Sequence, residues 1–184
     1  MTAVLDYESI AAQIHEFYRT KYGGMPPYDQ LPEFMKADNR EAALRIGQVL
    51  SIAGLRIEPR DTAEWPQDEQ QAISRVIEDH LELLAEAEHR GWMEARLRHG
   101  WVAAEQVNRE RKESHLLVPF ADFPRVIERK RTVAGAEKYK SGPQAGQAMT
   151  LEKEIDHEKN KDRDSVRNYV GMIARTPYRI VAEH

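Results

Sequence analysis

Two stretches of this 184-residue chain align without a gap, and that repeat limits the fold more than any other feature. "DNREAALRIGQVLSIAGLRI" (Asp38–Ile57) lies over "KDRDSVRNYVGMIARTPYRI" (Lys161–Ile180), matching Arg40 to Arg163, Leu50 to Ile173 and "LRI" to "YRI". The segments ahead of them match as well. "AAQIHEFYR" (Ala11–Arg19) lies over "LAEAEHRGWM" (Leu84–Met93), which sets His15 on His89 and Tyr18 on Trp92, and "LPEF" resembles "VPFADF". A chain built this way folds as two similar units. Each is a helix carrying His-x-x-aromatic, a Pro-containing loop, and a return helix that opens on Asn-Arg or Asp-Arg.

Apolar spacing places the helices. Ile10, Ile14, Phe17 and Tyr18 recur at helical intervals between Tyr7 and Tyr22, and "GGMPPYDQLP" stops that helix. A second helix is predicted from Asp38 to Ala53, with Asp38 and Glu41 as a capping box and Gly54 as the left-handed stop. "EPRDTAEWPQ" (Glu58–Gln67) reads as a linker. One long helix is predicted from Gln67 to His99, closed by Gly100. "HLLVPF" is read as briefly extended, a short helix as running over Ala121–Arg131, Thr132–Gln147 as a mobile glycine-rich loop, and a last helix as spanning Leu151–Arg175.

The order of these motifs resembles the ryanodine-receptor repeat, or RyR, domain of bacterial and phage type. The residues that carry the likeness are "EHRGWMEARLRHGW", "NRERKESHLLVPFADF" and "KDRDSVRNYVGMIARTPYRI", with "IHEFYR", "LPEFMKADNREAA" and "GLRI" as a shorter first copy. The expected fold is mainly α: a tandem helical repeat, each unit a pair of packed helices joined by a Pro-containing loop, with little or no strand. The expected partition is a first unit at 1–60, a linker and helix start at 61–78, and a second unit at 79–184 with a flexible insertion near 132–150. "WVAAEQ" lacks the glycine that often follows Gly-Trp in the family.

What the resemblance implies is a module that senses or sequesters a small molecule, an adenine nucleotide or a nucleotide-derived signal. The residues fit that chemistry. His89 and Trp92 share a helix face, Arg96 lies one turn further on, and Trp101 follows the helix end, an aromatic set suited to stacking a base. Arg109, Arg111, Lys112 and His115 supply phosphate donors ahead of Pro119. Arg163 and its repeat partner Arg40 are placed near helix N-termini, and His15 and Tyr18 complete the equivalent set in the first unit. The structural alternative for each is ordinary: buried tryptophans, solvated loop charges, and arginines paired with carboxylates. A non-catalytic protein-interaction or scaffold module without a small ligand is the competing function.

Composition narrows the classes further. There is no cysteine, so disulfide and thiolate chemistry are excluded. Residues 1–95 carry 9 Lys/Arg against 18 Asp/Glu, and residues 96–184 carry 18 against 13. That asymmetry does not suit a general nucleic-acid binder, but it allows a local basic pocket. No catalytic constellation and no metal-ligand spacing are present, so neither an enzyme nor a cofactor is expected. "MTAVLDYESI" has no leader pattern and no apolar run spans a membrane, so a cytoplasmic protein without membrane partners is expected, with homo-oligomers allowed.

Overall fold

A computed structural model describes residues 5–183. The fold is mainly α, and the described residues form two compact units. The first comprises residues up to Leu84 together with those from Ser165 onward; the second is Ala85–Asp164. None of the described helices is long and apolar enough to cross a membrane.

The first unit opens with α1 (Tyr7–Tyr22), whose N-terminus is capped by Asp6 accepting from the Glu8 backbone N–H at 3.0 Å. Its buried residues Ile10, Ala11, Ile14 and His15 form one stripe, which packs on α2 (Glu33–Ile52) through Ala43, Ile46, Val49 and Leu50. α2 starts five residues earlier than the sequence reading, because Pro32 lies at its N-cap. Asp38 is therefore an interior residue and not a cap. Gly54 ends the helix at φ +66° as expected, and turns the chain into β1 (Leu55–Pro59).

Strand is confined to short pieces, as expected of a mainly α fold. β1 pairs antiparallel with β4 (Tyr178–Ala182), with Ile57 directly opposite Ile180. Alternation decides this: Leu55, Ile57, Tyr178 and Ile180 are buried on one face, while Arg179 donates to Glu58 at 2.8 Å on the other. The pairing ties the described residues from Ser165 onward to the first unit.

The linker reading of Glu58–Gln67 is corrected as well. Trp65 is only 3% exposed, and its carbonyl accepts from Gln70 Nε2 at 2.7 Å. The predicted long helix is two, α3 (Gln67–Asp79) and α4 (Leu81–Arg98), divided at His80. His80 leaves helical geometry at φ −114°, ψ 13°, and its Nδ1 lies 2.8 Å from the Val76 carbonyl. The chain passes into the second unit within α4.

The second unit contains two short parallel strands, β2 (Val102–Ala103) and β3 (Glu113–Ser114); "HLLVPF" follows them as turn and bend and not as the extended segment expected. A single 3-10 turn at Phe120–Asp122 leads into α5 (Phe123–Ala134). Its core joins Ala85, Phe120, Phe123 and Ile127 to Leu151 and Ile155 of α6 (Leu151–Arg167). The predicted last helix is divided at Asn168 into α6 and α7 (Tyr169–Ala174).

The Thr132–Gln147 segment has a defined hydrogen-bonded path. Its first residues extend α5. The rest folds back on itself, with the Tyr139 N–H donating to the Gln147 carbonyl at 3.0 Å and the Met149 N–H to the Glu137 carbonyl at 2.7 Å. Glu154, 1% exposed, anchors it by accepting from Lys130 at 2.8 Å, Arg131 at 2.7 Å and the Glu137 N–H at 3.2 Å. Burial alone would raise this carboxyl's pKa, but Lys130, the Glu137 N–H and Arg131 outweigh it and hold it below the ordinary value.

Two stability outcomes follow. Trp65→Ala should cost about 3–5 kcal/mol in urea denaturation, as emptying a core site does and a change in a solvated linker does not. Glu154→Ala should cost about 3–5 kcal/mol by leaving two cations without their buried partner; a loss below about 1 kcal/mol would contradict the anchoring role.

Candidate functional site

The residues singled out in the sequence separate into three sets. The first is structural. His89 is buried, and its Nε2–H donates to the Val118 carbonyl at 2.9 Å while Nδ1 lies 3.2 Å from Asp162 Oδ2. Phe120 and Phe123 pack against the ring, with centroids at 4.8 and 5.0 Å. A side chain held on both edges by the protein itself orients the Pro119 turn. In the first unit His15 is buried with its Nε2–H donating to the Pro26 carbonyl at 2.7 Å. Pro119 itself precedes the 3-10 turn as its N-cap residue.

The two paired arginines are structural as well. With α2 starting at Glu33 and α6 at Leu151, Arg40 and Arg163 lie well inside their helices rather than at N-termini. Arg40 binds Glu33 and Glu8, the latter at 3.1 Å, and Arg163 binds Asp156 at 2.6 Å. Asn39 and Asp162 consequently do not cap. Tyr28 donates to the same Glu8 at 2.9 Å, and burial together with that carboxylate pushes its phenol up to about 12. Tyr18 stacks on Tyr22 at 6.1 Å.

The second set is the loop after α4. Arg111 pairs with Glu113 at 3.0 Å, Lys112 Nζ donates to the His99 carbonyl at 2.9 Å, and Arg109 is exposed. These side chains tie the loop to itself and do not converge on one point.

The third set surrounds open space. A cavity of about 300 Å³ lies in the second unit, at the lower end of the range for small-molecule sites. Ala103 and Ala104, at the end of β2, and Val118 and Val126 form its apolar wall. His115 lines it too, 7% exposed, with Nδ1 fully buried and unpartnered. A buried polar atom without a partner is uncommon and marks a place where a group from outside can be received. Burial holds the His115 pKa below its ordinary value, with Lys130 and Lys161 acting the same way against an opposing pull from Glu158 and Glu154.

The polar members of the cavity are Glu105, Arg125 and Arg129. The two arginines are one turn apart on α5 and share a face. Arg129 reaches Glu105 at 2.5 Å and Arg125 reaches Asp122 at 3.5 Å, and both guanidinium groups stay largely exposed. The sequence reading missed Glu105, Arg125 and Arg129. The signal was present as "RVIER", an i,i+4 arginine pair directly after the Pro loop. Among the described residues no group of three or more His, Asp or Glu side chains is placed to hold a metal ion.

The folded His115 takes up its proton at lower pH than the ordinary value of 6.5 that the unfolded chain retains. Protons therefore favour the unfolded chain, so stability should fall as pH drops below about 6.5. His115→Gln should flatten that part of the profile, measured by urea midpoints between pH 7.5 and 5; an unchanged slope would contradict the assignment.

Two comparisons bear on what this arrangement is. The family model described as "RyR domain" matches residues 66–141. No curated protein matches the chain.

Proposed function

We propose that residues 66–141, which match the RyR family model and contain every residue lining the His115 cavity, bind a small anionic ligand of nucleotide type there. The carrying observation is the cavity itself: apolar walls, a buried imidazole with an unpartnered nitrogen, and two arginines at its polar side. Apolar walls suit the flat body of a base, and arginine forks suit a phosphate. The reading is one of binding without turnover. The protein then acts as a sensor or a sequestering module.

The same reading treats residues 7–58 as a shorter second copy. Its support is the shared clasp, His15 to the Pro26 carbonyl and His89 to the Val118 carbonyl, together with Ile57 facing Ile180.

A thermal-shift screen against adenine and guanine nucleotides, cyclic mono- and dinucleotides and ADP-ribose derivatives tests the proposal. A ligand at 100 times its Kd should stabilise the wild type by about 2.7 kcal/mol. The Arg125→Gln/Arg129→Gln double variant should lose most of that gain. No shift with any member of the panel would reject the nucleotide reading in favour of a protein-interaction module.

A further inference from the structure

Arg96 is held between two tryptophans. Its guanidinium carbon lies 5.8 Å from the Trp92 ring and 4.8 Å from the Trp101 ring. The clamp arises from the helix end. Trp92 is one turn before Arg96 on α4, and Gly100 at φ +80° folds the chain back so that the Trp101 N–H donates to the Arg96 carbonyl at 3.0 Å. This is the six-to-one hydrogen bond of a glycine-closed helix terminus, and it returns the following side chain onto the last turn. Both tryptophans thus lie against one cation.

Among the described residues, no carboxylate or carbonyl takes the N–H groups of this guanidinium. Arg40, Arg163, Arg167 and Arg179 are all paired with carboxylates. Stacking fixes the plane of a guanidinium and shields its face, while its edge keeps a fork of N–H donors that matches two oxygens of one anion. Arg96 is half-buried, so its edge remains in reach of solvent.

We infer that the Trp92–Arg96–Trp101 clamp is a bidentate binding site for the oxyanion of a small ligand, a phosphate or a carboxylate. The inference does not depend on the His115 cavity, since it rests on a different set of side chains.

Tryptophan fluorescence reads this site directly, because two of the chain's three tryptophans touch the arginine. Wild type, Arg96→Lys and Arg96→Gln would be titrated with inorganic phosphate, pyrophosphate and succinate at constant ionic strength in chloride. The expected result is a saturable change in wild type with at least one probe, weakened tenfold or more in both variants, since lysine keeps the charge but loses the fork. Response to the phosphates alone assigns a phosphate ligand; response to succinate alone assigns a carboxylate. No saturable change in wild type, or equal midpoints in all three proteins, overturns the inference. The fluorescence titration reads Arg96 and the thermal shift of the Arg125→Gln/Arg129→Gln variant reads the His115 cavity, so the two proposals fail separately.

Discussion

The second unit depends on one buried imidazole. His89 stands among Phe120, Phe123 and Trp92, and its two nitrogens meet acceptors from opposite sides: the Val118 carbonyl on the loop and Asp162 on α6. A ring inside an aromatic core can remain there only if its polar edges are satisfied. That requirement sets where the Pro119 turn lies. It therefore sets where Val118 faces and where α5 starts, and with α5 the positions of Val126, Arg125 and Arg129 around the cavity.

His115 has the opposite environment. It is as deeply buried as His89, yet its Nδ1 has no partner. The contrast between these two histidines separates a fold-making residue from a candidate binding residue. Residue type does not distinguish them, since both are histidines near apolar motifs. The distinction comes from what the rest of the chain places against each ring. Arginines divide in the same way. Arg40 and Arg163 spend their donors on carboxylates, whereas Arg96 is stacked between rings with its N–H fork unspent.

Much of the helical content was legible, because Gly54, Gly100 and the Pro-rich loops mark boundaries through backbone conformation that any neighbour sees. Breaks at His80 and Asn168 were not, since neither residue opposes helix by itself. Strands β1 and β4 escaped for a related reason. A five-residue apolar alternation is too short to separate from a helix end, and its partner lies about 120 residues away. Trp65 reads as linker because its neighbours in sequence are polar and proline-flanked, although the folded chain buries it.

What the sequence determined by itself is local: the helix stops, the motif order that resembles the RyR domain and the absence of thiol chemistry. These follow from backbone preference, side-chain type and motif order, which do not require the chain to be folded. The tertiary structure alone decided which polar groups are consumed by the fold. It closed His89, Arg40 and Arg163 with internal partners, brought Arg125 and Arg129 beside Glu105, and turned Trp92 and Trp101 onto Arg96. Whether a donor is free depends on the distance to every acceptor in the folded chain, and linear spacing does not contain that quantity.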